Sequence, residues 1–283
     1  MPCRLTILAS GSGGNCAFIE SESTRLLVDA GLSARQIEER LTALGRSAAQ
    51  LQGIIITHEH SDHIQGLWVL ARRHRIPIYA NHQTREAILE TWVDEDAAKQ
   101  AAVQWKIFEN GQRFPIGDFM IEPFSIPHDS VDPVGFLFYH DHHCAGFITD
   151  VGHMNHLLLE KMRQAEILVL ETNHDLELLH NHPTRPWSLK QRVAGRHGHL
   201  SNKDAAAAIS QILSQKLTHI FLAHLSDECN RPELAEKAVK EMLRQIGALH
   251  VQVTLTRQDQ STQTLEWATA AAETSDAAKP SGF

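Results

Sequence analysis

Apolar residues along this chain fall into short runs divided by turn-forming residues, with longer amphipathic stretches between them. Leu5 to Ala9, Ala17 to Ile19 and Arg25 to Val28 predict strands, the first two separated by the turn-rich Ser10-Gly11-Ser12-Gly13-Gly14-Asn15. Ser33 opens a helix, with Gln36 as its capping-box partner and Gly45 as its C-terminal stop. Ile54 to Ile56 predict a buried strand ending at Thr57. A helix from Gln65 to His74 closes before Pro77, and Ile78-Tyr79-Ala80 gives another strand. Thr84 to Trp92 has a helical period. Val103 to Phe108, Phe119 to Ile126 and Val134 to Tyr139 read as strands. Asp141 to Cys144 reads as a hairpin turn before Gly146 to Thr149, placing His140, His142 and His143 at an exposed tip.

Helices near Asn155 to Arg163, Asn202 to Gln215 and Pro232 to Ile246 then alternate with strands at Ile167 to Leu170, Ile220 to Ala223 and Val251 to Thr256. Strands in both halves with helices between them predict an α/β protein, two sheets with helices outside, in an αββα sandwich. One domain is expected over residues 1–268. The Ala-, Thr- and Ser-rich stretch 269–283 lacks an apolar period and is expected to be a disordered tail. No internal repeat stands out.

Composition changes this picture little. The 283 residues are 42% hydrophobic and 21% charged, as in an ordinary globular protein. No run of apolar residues is long enough for a membrane helix, and the N-terminus enters a strand pattern without a secretory signal, so a cytoplasmic protein without membrane association is expected. Cys3, Cys16, Cys144 and Cys229 are scattered without a CxxC pair, which predicts reduced, packed thiols. The net charge of −8 argues against a protein that coats nucleic acid, but not against an enzyme gripping a few phosphates beside bound metals.

The chemistry concentrates in Thr57-His58-Glu59-His60-Ser61-Asp62-His63, directly after an apolar strand. Alternate residues of an extended loop point the same way, so His58 and His60 can share one cation. Asp62 and His63 can turn toward a second. This run resembles the His-x-His-x-Asp-His signature of the metallo-β-lactamase superfamily. The resemblance extends to Leu27-Val28-Asp29-Ala30-Gly31, to His128 in Ile126-Pro127-His128-Asp129-Ser130, to Asp150 after Phe147-Ile148-Thr149, and to His224 after Phe221-Leu222-Ala223. It implies the four-layer metallo-β-lactamase sandwich. It also implies two divalent metal ions, the first held by His58, His60 and His128 and the second by Asp62, His63 and His224, with Asp150 between them. Two such cations suit hydrolysis because they can acidify a water and clamp the oxygens of a scissile phosphate. Asp62 can also accept a proton from that water. The all-nitrogen-and-oxygen donor set fits manganese, which is favoured, or zinc or iron.

Three later elements narrow the substrate. They are Glu171-Thr172-Asn173-His174-Asp175, Gly198-His199-Leu200-Ser201-Asn202, and His224-Leu225-Ser226 with Glu228-Cys229-Asn230. With Gly11 to Cys16 they resemble the YycJ/WalJ-type branch, related to RNase Z-like phosphodiesterases. The resemblance implies a 5′→3′ exonuclease acting on single-stranded DNA, also RNA, in DNA repair. It further implies that His199 is a general acid for the leaving oxygen, with Glu171 as its orienting partner, beside the catalytic Asp62. Ser12 and Asn15 in the glycine-rich turn, and Ser201 and Asn202 at a helix start, are candidate phosphate contacts.

Arg185-Pro186-Trp187-Ser188-Leu189-Lys190-Gln191-Arg192, with Arg196 beyond, can track a backbone and stack a base, making Trp187, Lys190 and Arg192 further candidates. That reading requires these cations to gather on the metal face. The competing readings are a phosphodiesterase for cyclic or small nucleotides, an RNase Z-like endoribonuclease and, outside enzymes, an accessory regulator of cell-wall signalling. A complete ligand set argues against the last, since a pure binding module has no need of it.

Overall fold

A computed structural model describes residues 2–92 and 102–267. The segment 269–283 and the C-terminal bound expected for the domain lie outside the described residues. The first sheet contains β1 (Cys3–Ala9), β2 (Cys16–Glu20), β3 (Arg25–Val28), β4 (Gly53–Ile55), β5 (Ile78–Ala80), β6 (Trp105–Ile107) and β14 (Leu265–Trp267), in the order β14-β1-β2-β3-β4-β5-β6. The second contains β7 (Phe114–Ile116), β8 (Phe119–Ser125), β9 (Val134–His140), β10 (His143–Ile148), β11 (Ile167–Glu171), β12 (His219–Ala223) and β13 (Gln252–Leu255), in the order β13-β12-β11-β10-β9-β8-β7.

Each sheet begins with antiparallel pairs and continues with parallel ones. The change falls at β3 in the first sheet and at β10 in the second. The two halves thus share a topology that no sequence repeat announces.

Alternation along the strands builds the layers. Leu26 and Val28 of β3 face the second sheet, joining Phe119, Phe136, Phe138 and Phe221 between the sheets. Leu27 faces outward, onto Ile37 and Leu41 of the helix Ala34–Ala43 and onto Leu67 and Leu70 of the helix Leu67–His74. Outside the second sheet, Leu168, Leu170 and Leu222 pack on the helices His156–Met162, Asn202–Ile212 and Pro232–Gln245. These layers are the expected αββα sandwich. The four cysteines are buried and unpaired, as expected. Among the described residues no helix is long and apolar enough to cross a membrane.

The Ser33–Gln36 capping box forms, and Gly45 adopts φ +70° just past the helix end. Several expectations need correction. The helix expected from Gln65 starts earlier, at Ser61, and breaks at Gly66, where the backbone crosses residues 32–34 so closely that a Cβ would lie 2.3 Å from the Leu32 carbonyl oxygen. The edge strands β7 and β14 are three residues each, too short to show alternation, and Pro115 suits an edge. His140 is no tip residue. It ends β9, is buried beside the ring of Phe119, and the turn is made by Asp141, at φ 52°, and His142.

Candidate metal centre and active site

The candidate site lies at one end of both sheets, at or just beyond the last residues of β3, β4, β8, β10, β11 and β12, which deliver Asp29, the 57–63 segment, His128, Asp150, Glu171 and His224. Crevices at the carboxyl ends of parallel strands are where α/β folds place ligands. Asp29, Asp150 and His224 each adopt φ between 55° and 61°, so the chain turns sharply as it leaves the sheet. Gly31 admits the 57–63 loop. A Cβ there would lie 1.6 Å from the carbonyl oxygen of Asp62.

All seven expected metal ligands converge. His58, His60 and His128 form one group of donor atoms within 4.8 Å of one another; Asp62, His63 and His224 form a second, and Asp150 joins His58 and His63 between them. Four of the imidazoles are oriented from behind. His58 Nδ1 lies 3.0 Å from the Thr57 hydroxyl, and His63 Nδ1 lies 2.8 Å from an Asp29 carboxylate oxygen. His128 Nδ1 donates to the Gly198 carbonyl, and His224 Nδ1 donates to Glu171 Oε1 at 2.8 Å. Each pairing leaves Nε2 turned into the cluster, the arrangement that fixes metal-binding histidines.

The cluster fits cations better than it fits itself. His58 Nε2, His128 Nε2 and Asp150 Oδ2 are buried without a hydrogen-bond partner, which is costly unless another electrophile is satisfied there. Burial, then the neighbouring His63, holds His58 well below the usual imidazole range. Burial works against charge on His63 too, but Asp150, Asp29 and Asp62 together raise it. Asp150 is likewise desolvated, yet His224 and His63 keep it ionised. Nitrogen and carboxylate donors without a thiolate, in two groups bridged by one buried aspartate, suit two divalent cations.

Glu171 is fully buried and satisfied on every side. Oε1 accepts from His199 Nδ1 at 2.9 Å as well as from His224, and Oε2 accepts from the backbone of Val151 and Leu200. Although burial opposes it, the His199 imidazolium brings Glu171 down to about 2. In turn, burial would lower His199, but Glu171 raises it above the ordinary histidine value. Glu171 therefore links His199 to a ligand histidine, a sharing that sequence alone did not show.

The expected substrate contacts divide. Ser12 is exposed and lines the reaction pocket, a cleft of about 180 Å³ also bordered by Asp62, Arg185, Arg192, His199 and His224. Asn15 is instead turned inward: its amide donates to Gly11 and Asp62, and its oxygen accepts from Ser10 and Gly11, because burial at 6% exposure demands internal partners. Ser201 caps its helix against Asp204, and Asn202 pairs with Asn230; both are buried and neither lines the pocket.

Lys190 and Trp187 border a neighbouring groove, and the Lys190 ammonium is held by the carbonyls of His180 and His182. Arg196 sits beside His153 in another cleft. Of the expected cations, only Arg185 and Arg192 face the metals' pocket. Each is paired, with Glu228 and Asp129 respectively.

Asp129, Asn173 and Ser226 also line the pocket, and sequence reading had not singled them out as site residues. All three lie within the short elements that carry His128, Glu171 and His224, which was the available signal. Asn173 supports His224 by donating to its carbonyl at 2.9 Å. His219, the histidine at the other end of β12, is engaged by Thr254 away from the site. Removing an outer partner should weaken the centre. Asp29→Ala is expected to lower metal affinity or activity about 10- to 100-fold, checked by competition of the protein against a chelating indicator.

Comparison with known proteins agrees with this geometry. A profile of the beta-lactamase superfamily domain matches residues 24–220. The chain is 36% identical over 247 residues to the exodeoxyribonuclease YycJ of Bacillus anthracis, covering 87% of this chain and 91% of that protein. It is 39% identical over 242 residues to the exodeoxyribonuclease WalJ of Streptococcus pneumoniae serotype 2, covering 86% and 88%. In fold it is similar to the metallo-beta-lactamase fold protein YhfI of Bacillus subtilis, with TM-score 0.70, 18% identity, and 94% and 99% of the two chains covered. The chain therefore belongs to the metallo-β-lactamase superfamily, in the group that includes YycJ and WalJ, and is a metal-dependent hydrolase.

Proposed function

We propose that this chain is a 5′→3′ exonuclease on single-stranded DNA, working with two divalent ions, manganese favoured. The observation that carries this reading is a pair of donor groups side by side, with His199 tied to His224 of the second group through one buried carboxylate, Glu171. The bound ions would supply an acidified water and neutralise charge on the scissile phosphate. His58, His60 and His128 would hold one ion, Asp62, His63 and His224 the other, and Asp150 both.

The remaining work belongs to the chain itself. Asp62 is largely buried, but His63 and His224 hold it well below the usual carboxylate range, so it stays ionised as a ligand and proton acceptor. His199 Nδ1 is committed to Glu171, so Nε2–H faces the pocket and can protonate a departing sugar oxygen. Arg192 and Arg185 line the pocket and can meet a phosphate backbone there, as can Ser12. The identities to the exodeoxyribonucleases YycJ and WalJ support DNA as the polymer; DNA repair is the setting proposed for it.

Single-stranded DNA labelled separately at each end tests the reading. With manganese, small labelled product should appear at once from the 5′ end and only late from the 3′ end. Zinc and iron serve as comparison arms. Prompt release from the 3′ end would reverse the polarity, and intact DNA under all three metals would favour small-nucleotide phosphodiesters.

A further inference from the structure

Trp187 is the one exposed phenylalanine, tyrosine or tryptophan ring among the described residues, at 56% exposure. A large aromatic surface left in water forgoes burial that most of the protein's aromatic rings achieve. It does not stand alone. With Leu176 (42% exposed), Leu179, His180, Lys190 and Gln191 it borders a largely apolar groove of about 340 Å³.

The groove is built to keep its shape. The ring of His180 meets that of Trp187 edge to face, with centroids 5.6 Å apart. Lys190 Nζ donates to the His180 and His182 carbonyls at 2.7 and 2.6 Å, tying the helix Leu176–His180 to the helix Trp187–Val193. The Lys190 ammonium thus caps a helix end while its stem lines the groove.

The second helix has two faces with different company. Trp187, Lys190 and Gln191 face the groove, while Arg192 and Val193 face the reaction pocket. Arg192 lies five residues beyond Trp187, a rise of about 7.5 Å and a turn of about 140° around the helix, so the two side chains stand on different faces of it. A strand whose phosphate is met by Arg192 and whose chain passes on over this helix would bring a base a few nucleotides away to Trp187.

We propose that this groove is a nucleobase subsite, in which an unpaired base a few nucleotides from the scissile phosphate stacks on Trp187. The inference rests on the nuclease reading above and adds to it a reason for single strands, since a base in a duplex has no free face to offer. Stacking tolerates any base, because each presents a π-face.

The test pairs Trp187→Ala and Trp187→Phe with a series of single-stranded oligonucleotides carrying one abasic position, moved stepwise from the 5′ end. For intact DNA, Trp187→Ala should raise KM about tenfold, within the range of base–aromatic stacking, with the larger change in KM rather than kcat. Trp187→Phe should restore most of the loss. For wild-type protein, one abasic position should raise KM by the same factor, and at that position Trp187→Ala should add nothing, as coupled partners require. Equal KM values for wild type and Trp187→Ala, or a mutant loss unchanged at every abasic position, would overturn the subsite while leaving the nuclease reading standing. Failure of wild-type protein to cut any of these strands would instead overturn the nuclease reading, and the subsite with it.

Discussion

Replacing His199 with alanine is expected to lower kcat for DNA cleavage by about 10²- to 10⁴-fold, the range for loss of a positioned general acid. The effect should depend on the leaving group. A departing sugar alkoxide needs a proton; a nitrophenolate does not. His199 is poised to supply it because Glu171 raises it against the effect of burial and leaves only Nε2 facing the pocket. On a nitrophenyl ester of a nucleotide, His199→Ala should therefore lose far less than on DNA. Steady-state kinetics on the two substrates reads the difference. Equal losses on both would show that His199 acts by holding the site together and not by donating a proton.

Asp150→Ala should be more damaging still. Outer partners of a metal site cost about 10- to 100-fold when removed, and a buried carboxylate lying between two donor groups should cost more. Asp150 is 2% exposed, with oxygens 3.3 Å from His63 Nε2 and 3.2 Å from His224 Nδ1. Alanine there removes the negative charge that offsets imidazoles from both groups. DNA cleavage should fall by well over 100-fold and stay low at metal concentrations that saturate the wild type. Recovery of full activity by extra metal would place Asp150 outside the centre.

The candidate metal ligands were legible because several of them are local. Thr57 to His63 packs four donor side chains into seven consecutive residues, and His128, Asp150 and His224 each follow an apolar strand. What sequence could not show is pairing across long separations. Glu171 was read as a partner for His199 alone, yet it also holds His224, 53 residues away. Arg192 meets Asp129 across 63 residues, which sets where the pocket's rim lies. Asn15 and Asn202 carry the side chains of phosphate binders, and their inward turn follows from Asp62 and Asn230, which only the fold brings near, whereas Ser201 is taken by a local cap with Asp204. The same limit hid the matching topology of the two sheets, while β7 and β14 were hidden by their length of three residues.

The most direct test of a two-metal nuclease is to strip the protein with chelator, restore manganese in known equivalents, and follow bound metal and 5′-end release together. The account predicts that activity rises as the second equivalent binds and that Asp150→Ala remains inactive throughout. Full activity in the stripped protein, or a maximum reached at one equivalent, would contradict it.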